Sequence, residues 1–412
     1  MESYIVRQAI VSENQETFGY EILYTDNSFK ANQNDDAAAA NAIETFLSSM
    51  DSGKFLDGKT AFLTFTSNLL EKNIPKMFTT NKLVIQIEDS LIINPFSQNL
   101  ISKYKQNGYK IAVVDFDFAP RFFGILDIVD YIKVNFAHPE ENPSIDSIVN
   151  IGKSFGKKIV AYNIENQESY DKAKALGCTY FQGSFVSEKM PSEIKKVNYL
   201  QSNFFLLMVA VTRDEPDIDE IESIISRDVS LTFSLLRLVN SAYFALRNRA
   251  HSVKQALVIL GLGQLKQWIY LLSFKQDDGS MPDELIKISF LRATFASELL
   301  DSAENMPISR SEAYLMGMFS TLGKLMQTPL EEILEQLPIS DEIKNALLSY
   351  EGRTGLLYKL ILSYEKADWN SMSSCAAELG IPQSMIAQKY FECVESVNNI
   401  WSELTNPGES DD

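Results

Sequence analysis

The chain changes its hydrophobic pattern once, close to Pro191. Before this point, short apolar runs alternate with amphipathic segments of helical spacing, such as 95–107 and 167–176. The runs predict strands at 4–11, 18–24, 61–65, 83–87, 111–115, 131–134, 158–162 and 179–183. Alternation of strands and helices is typical of parallel pairing, and about seven such repeats favour a TIM-like α/β barrel over a small open sheet.

Beyond Pro191 the strand signal disappears and a second, all-α domain is predicted. Apolar positions recur with helical spacing at 218–226, 231–245, 253–260, 264–273, 282–300, 312–326, 343–350 and 386–400. Glycine-containing breaks at 261–263, 277–279 and 380–382 predict turns. We expect domains at 1–193 and 194–404, followed by an acidic tail at 405–412; an alanine-rich helix is also expected between about 35 and 50.

Composition narrows the range of partners and compartments. The 412 residues carry a net charge of −18 with a pI near 4.7, which argues against nucleic-acid binding. No apolar run approaches the roughly 18 residues of a membrane span, and the N-terminus lacks a signal-peptide pattern. Three cysteines without paired spacing predict neither a disulfide framework nor a zinc site, so a cytoplasmic location is expected.

Charged and amide side chains stand where the predicted strands end. Glu21, Glu88, Asp115, Lys133 and Gln182 occupy such positions, and one further acid, Glu165, lies just past a strand. Because the carboxyl ends of barrel strands surround the usual site, these groups are expected to converge. Clustered carboxylates with a lysine suit a divalent-metal phosphodiesterase, whereas the alternative reading makes them helix caps or loop ion pairs.

Six segments occur in the order found in the EAL domain. They are Tyr20-Glu-Ile-Leu23, Leu83-Val-Ile-Gln-Ile-Glu88, Ala112-Val-Val-Asp-Phe-Asp117, Ile132-Lys-Val-Asn135, Ile159-Val-Ala-Tyr-Asn-Ile-Glu165 and Gly177-Cys-Thr-Tyr-Phe-Gln-Gly183. Over about residues 1–190 the chain therefore resembles this family of cyclic di-GMP phosphodiesterases, which have a TIM-like barrel. The resemblance implies site roles for Glu21, Glu88, Asp115, Lys133, Glu165 and Gln182.

Four positions depart from the family pattern. Thr64 stands in place of a metal-binding asparagine, Val114 and Asn135 replace aspartates, and Tyr162 replaces a glutamate. Val114 offers no oxygen to a cation, and Tyr162 offers only a neutral phenol. Because a two-metal site needs bridging carboxylates, we expect no metal, no cofactor and no hydrolysis, with the retained acids as remnants.

The helical half resembles the HDOD domain, a relative of the HD phosphohydrolases. The resemblance rests on the segment 224–261, with Asp228, the leucines Leu231, Leu235 and Leu238, and Asn240-Ser241. The leucines are also ordinary core residues, and Asn240-Ser241 is expected to end a helix and bond to free backbone groups. Ser320-Thr321 occupies the place where an HD motif could fall, so metal hydrolysis is not expected there.

The sequence predicts a non-catalytic bacterial signalling protein that works by binding other proteins. One alternative is a cyclic di-GMP receptor that uses Gln182 and Lys133 without cleaving the nucleotide. A weaker alternative is a slow phosphodiesterase with one metal held by Glu21, Glu88 and Asp115.

Overall fold

The computed structural model describes residues 3–26, 55–88, 91–92, 95–116, 123–139, 143–187, 204–213, 215–227, 229–240, 250–272, 283–325, 328–335, 337 and 339–405. The predicted alanine-rich helix, the tail beyond residue 405, Asp117, Asp228 and Ser241 lie outside these ranges. The chain divides into two compact units. One comprises Met1–Lys189 with Tyr364–Trp369, and the other Met190–Ser363 with Asn370–Asp412. The boundaries expected at 193 and 404 stay predictions.

The first unit contains a closed eight-stranded barrel, in strand order β1 to β8. Its strands are β1 (Ser3–Ser12), β2 (Thr17–Asp26), β3 (Thr60–Thr64), β4 (Leu83–Ile87), β5 (Lys110–Val114), β6 (Tyr131–Asn135), β7 (Lys158–Tyr162) and β8 (Tyr180–Gln182). All eight predicted strands are confirmed, and so is the barrel. Helices α1 (Ser67–Glu71), α2 (Pro95–Gln106), α3 (Ile145–Ser154), α4 (Gln167–Ala175) and α5 (Ser184–Ser187) lie between or after the strands.

The barrel departs from uniform parallel pairing at β1. This strand pairs antiparallel with both β2 and β8, whereas each later pair from β2–β3 to β7–β8 is parallel. The cause is local: only residues 13–16 separate β1 from β2, and a parallel pair needs a crossover of a dozen residues or more. A short turn can join only antiparallel neighbours.

The barrel unit also includes Tyr364–Trp369, a segment from late in the chain. The buried hydroxyl of Tyr364 donates a 2.9 Å hydrogen bond to the carbonyl of Ile5 in β1. The rings of Trp369 and Tyr4 stack with centroids 5.5 Å apart. These contacts make the segment a packed part of this unit.

The second unit is helical in its described parts, as predicted. Its helices are α6 (Phe204–Thr212), α7 (Ile218–Ser226), α8 (Val229–Val239), α9 (Val253–Leu272), α10 (Asp283–Leu300), α11 (Arg310–Phe319), α12 (Leu322–Leu325), α13 (Leu330–Glu335), α14 (Asp341–Ser349), α15 (Gly352–Glu365, whose last two residues belong to the barrel unit), α16 (Trp369–Leu379) and α17 (Gln383–Thr405). Within the described ranges, none of these helices is long and apolar enough to cross a membrane.

Two glycines shape this helical unit. Gly261 has φ +69° and ψ 163°, a non-helical conformation that separates two helical segments of α9, so the predicted break in the helix is confirmed at Gly261. Gly317 in α11 lets the backbone of α10 approach closely, because a Cβ at this position would lie 2.3 Å from the carbonyl of Arg292. Only glycine fits there without displacing a helix.

Candidate functional site

The centre of the candidate site is the Glu21 carboxylate, which is 7% exposed. Its Oε1 accepts hydrogen bonds from Nε2 of Gln86 at 2.7 Å and from Nζ of Lys133 at 2.5 Å. Its Oε2 accepts a short hydrogen bond from Nε2 of Gln182. Three side-chain donors therefore hold the two carboxylate oxygens.

The four residues of this cluster come from alternate strands. Glu21 lies on β2, Gln86 on β4, Lys133 on β6 and Gln182 on β8. Alternate strands of a barrel each contribute one side chain to an interior layer, and such layers are usually filled by branched apolar residues. Here the layer is polar, and its single negative and single positive charge cancel. We call these four residues the polar layer.

The polar layer is shielded from water. Lys133 is 1% exposed, Gln86 0% and Gln182 2%. Burial by itself would raise the pKa of Glu21, but the charge of Lys133 and the hydrogen bonds from Gln182, Lys133 and Gln86 outweigh it and lower that pKa. Glu21 is therefore ionised at neutral pH and forms a buried ion pair with Lys133.

Gln86 and Gln182 each have one buried side-chain oxygen, Oε1, that forms no hydrogen bond with the described residues. The amide nitrogen of Gln86 also reaches Oγ1 of Thr64 at 3.2 Å, and that of Gln182 reaches Oε1 of Gln8 at 3.1 Å. Both amides are thus oriented by their nitrogen atoms, and their oxygens are the free acceptors of the cluster.

A second pair lies at the ends of β5 and β7. The Tyr162 hydroxyl donates a 2.5 Å hydrogen bond to Oδ1 of the exposed Asp115, and Nζ of Lys133 lies 5.1 Å from the Tyr162 ring centroid. Asp115 has φ +52°, in the left-handed region that aspartate tolerates better than most residues. Partial burial, together with the hydrogen bond to Asp115 and its charge, raises the pKa of Tyr162, so the phenol stays neutral.

Glu88 follows β4 and is exposed. The loss of water around part of its carboxyl group, and the negative charges of Asp115 and Glu21, raise its pKa. The fold therefore brings three of the four predicted acids, Glu21, Glu88 and Asp115, within electrostatic reach of one another. Glu21 differs from the other two because its charge is already compensated by Lys133.

The remaining predicted positions lie around this centre. Thr64 ends β3 and contacts Gln86, while Val114 ends β5 and is half-buried. Asn135 ends β6, and its Oδ1 accepts from the backbone N–H of Ala137 at 2.9 Å. Glu165, beyond β7, is exposed.

These side chains do not fit a centre for two divalent ions as they are arranged. Val114 supplies no side-chain oxygen, the Tyr162 hydroxyl donates a hydrogen bond to Asp115, and the Glu21 oxygens are held by three donors. Within the described part of the chain, no group of three or more His, Cys, Asp or Glu side chains is placed to hold a metal ion.

Sequence reasoning missed Gln86, although a signal was present. Gln86 is the one polar residue in β4, where every position is buried. A buried polar side chain in an apolar strand needs a partner, and here the partner is Glu21. Gln8 on β1 carried no comparable signal.

In the helical unit, hydroxyl groups occupy the place expected for an HD motif. The Thr321 and Ser289 hydroxyls form a short hydrogen bond, and Ser320 Oγ donates to the carbonyl of Gly317 at 2.7 Å. Elsewhere in this unit, Asn240 follows the end of α8 and bonds backbone groups as predicted: its side chain makes hydrogen bonds of 3.0 and 2.8 Å with the backbone of Ala250.

Both halves of the chain contain a region that matches a known protein family. Residues 50–189 match the EAL domain, and residues 199–344 match the HDOD domain. The chain therefore contains a region that matches the EAL domain, followed by a region that matches the HDOD domain. The EAL match begins at residue 50, so it leaves out Glu21.

Two relatives match this chain over nearly its whole length. The uncharacterized protein YuxH of Bacillus subtilis is 29% identical over 411 residues, which cover 97% of this chain and 99% of YuxH. The cyclic di-GMP phosphodiesterase CdgJ of Vibrio cholerae is 28% identical over 398 residues, covering 95% and 91%. The solved EAL enzyme Bd1971, in its cAMP- and cyclic-di-GMP-bound form, matches with a TM-score of 0.37 and 16% identity, over 45% of this chain and 61% of that chain.

Proposed function

We propose that this EAL–HDOD protein is a regulatory protein that does not hydrolyse cyclic di-GMP and acts by binding other proteins. The observation that carries the proposal is the polar layer, in which Lys133 and two amides occupy the oxygens of Glu21. A carboxylate in this state is a structural group rather than a free metal ligand.

The free-energy cost of binding a metal ion at Glu21 follows from competition between that ion and Lys133 for the same carboxylate oxygen. A divalent ion at Oε1 of Glu21 would compete with the Lys133 ammonium, which is 1% exposed and would lose its partner in the barrel. Breaking a buried ion pair by removing one partner costs about 3–5 kcal/mol. Val114 and Tyr162 supply no carboxylate to offset this cost, so metal binding at Glu21 is opposed.

The proposal that the protein acts by binding other proteins rests on the chemistry of the barrel unit and of the helical unit. Hydroxyl groups stand at the HD position of the helical unit, and the polar layer of the barrel is internally neutralised. Under this proposal neither centre carries out metal-dependent hydrolysis, and the protein signals by binding partners at its molecular surface.

A second candidate, a cyclic di-GMP receptor or slow phosphodiesterase, is favoured by two observations. The relative CdgJ is described as a cyclic di-GMP phosphodiesterase, and the raised pKa of Glu88 reflects its partial loss of water and the nearby charges of Asp115 and Glu21. Glu88 and Asp115 could together hold a single ion, with Gln182 and Lys133 close to the same mouth.

One experiment separates these possibilities. The purified full chain, in excess over cyclic di-GMP and with Mg²⁺ or Mn²⁺ present, is tested for formation of the linear dinucleotide, and binding is measured by calorimetry. Glu21→Gln keeps the shape of the side chain, and Glu71→Gln, an exposed glutamate on α1, serves as the matched control.

We expect no turnover in any of the three proteins. Metal-dependent turnover that Glu21→Gln abolishes and Glu71→Gln retains would refute the proposal in favour of a phosphodiesterase. Saturable binding without turnover would favour the receptor.

A further inference from the structure

A cavity of about 400 Å³ lies inside the helical unit, between α6, α11 and α14. This volume is within the usual range of small-molecule sites. Val209, Leu315 and Ile343 are among its apolar walls, and Arg213 and Ser340 are among the polar residues that line it. The lining combines four apolar residues with six polar or charged ones, so the cavity offers both apolar surface and hydrogen-bonding groups to a ligand.

Ser340 provides the strongest indication of a ligand. It occupies the N-cap of α14 with φ −64° and ψ 151°, yet its side chain accepts no hydrogen bond from the helix backbone. Its hydroxyl oxygen is shielded from solvent and has no hydrogen-bond partner among the described residues. A buried unpaired hydroxyl costs about 1–3 kcal/mol, so a partner inside the cavity would recover free energy.

The second serine cap beside this cavity behaves differently. Ser309 at the start of α11 forms a complete capping box: its hydroxyl accepts from the N–H of Glu312, and the Glu312 carboxylate accepts from the N–H of Ser309 at 2.9 Å. The lining carboxylate of Glu312 is therefore already engaged. The Ser340 hydroxyl, in contrast, has no hydrogen-bond partner among the described residues.

Arg213 gives the cavity its positive charge. Its Nη1 donates to Glu220 at 2.5 Å, in an ion pair whose two side chains are about half exposed. A guanidinium has five N–H donors in a planar fork, so one ion pair leaves donors that can reach a second acceptor. Arg213 and Ser340 both line the cavity and are the hydrogen-bond donors that an anionic group there would use.

We propose that this cavity binds a small organic acid, with its carboxylate on Arg213 and Ser340 and its apolar body between α6, α11 and α14. A singly charged carboxylate is preferred to phosphate, because Asp341 and Glu342 in the first turn of α14 and Glu312 at the wall repel a second negative charge. The proposal does not depend on the activity of the barrel.

The test uses phenylpropionate as the probe and the full chain as the protein. Its neutral isostere phenylpropionamide measures the role of charge, and inorganic phosphate measures the role of the apolar body. The variants are Arg213→Gln and Ser340→Ala. Matched controls are Arg227→Gln, an exposed arginine outside the cavity, and Ser349→Ala at the other end of α14.

We expect saturable binding of phenylpropionate in NMR titrations, with the amide and phosphate each about tenfold weaker or worse. Arg213→Gln should weaken binding about tenfold or more, and Ser340→Ala about threefold to tenfold. Ser340→Ala should leave the Tm unchanged or raise it, because this buried hydroxyl has no hydrogen-bond partner among the described residues and its burial costs free energy.

Three outcomes would overturn the proposal. They are the absence of saturable binding, equal affinity for the acid and the amide, and an Arg213→Gln variant that binds like Arg227→Gln. A lower Tm for Ser340→Ala than for Ser349→Ala would show that the hydroxyl has a structural role instead.

Discussion

The sharpest perturbation of the polar layer is Lys133→Met. Methionine keeps the length and apolar stem of the side chain but removes the charge that compensates Glu21. An unpaired carboxylate then remains in a site where Lys133 itself is 1% exposed. Loss of one partner of a buried pair costs about 3–5 kcal/mol. Because the amides of Gln86 and Gln182 still donate to Glu21, we expect the lower end, about 3 kcal/mol at neutral pH.

The stability lost in Lys133→Met should depend on pH, and the direction of this dependence follows from the pKa of Glu21. In the native chain the pKa of Glu21 is lowered, so this group stabilises the fold above its unfolded pKa of about 4.3, and the contribution is lost as pH falls through the folded pKa. In Lys133→Met, burial dominates and raises the pKa of Glu21. The variant then loses stability as pH rises through that raised pKa. The deficit relative to the native chain should therefore be large near pH 7 and smaller near pH 4.5.

The assay is urea unfolding at both pH values, with hydrogen exchange of the barrel strands to assign the change to the first unit. Glu21→Gln combined with Lys133→Met should recover much of the lost stability, because no unpaired charge remains. Lys76→Met, at an exposed lysine, is the matched control. A deficit for Lys133→Met that equals that of Lys76→Met, or that is the same at both pH values, would refute the buried ion pair.

Three further predictions test packing and electrostatics elsewhere. Leu235→Asp places an unpaired charge at a position that is 0% exposed and should cost several kcal/mol in thermal unfolding, whereas Val258→Asp, at 76% exposure, should be nearly neutral; similar melting curves would contradict this. Gly317→Ala should destabilise by about 1–3 kcal/mol, because its Cβ would meet the backbone of α10, and an unchanged Tm would show that the helices separate freely. Asp115→Asn should lower the pKa of Glu88 in NMR titrations; an unchanged pKa would mean that Asp115 does not influence it.

The regular part of the fold was predictable because burial on both faces leaves a strong trace. The β4 segment is buried at every position, and β7 at its three central ones, so each appears in the sequence as a short apolar run. The antiparallel placement of β1 was not inferred, although the short turn after Ser12 implies it. In the helical unit, α7 occupies the predicted range 218–226, because its amphipathic pattern is clear and Asp217 caps its first turn.

The sequence predicted residues that belong to the site, but not the hydrogen bonds between them. The sequence predicted Glu21, Lys133 and Gln182 at strand ends and therefore as neighbours, and the structure joins all three. The predicted positions were wrong for Glu21 and Lys133, which lie in the middle of β2 and β6, so these side chains meet inside the barrel. Which donor holds which oxygen depends on side-chain geometry across the barrel, and the sequence does not contain it. The bond between Tyr162 and Asp115 links residues 47 positions apart and arises only when β5 and β7 are placed at one mouth.

The central claim is that Glu21 is committed to Lys133 rather than to a metal ion. Titration of the full chain with Mn²⁺, followed by electron paramagnetic resonance of the free ion, tests this claim most directly when the native chain is compared with Glu21→Gln. The account predicts superimposable titrations, because Glu21 contributes no ligand. Loss of a bound Mn²⁺ in Glu21→Gln, with Glu71→Gln behaving as the native chain does, would contradict it.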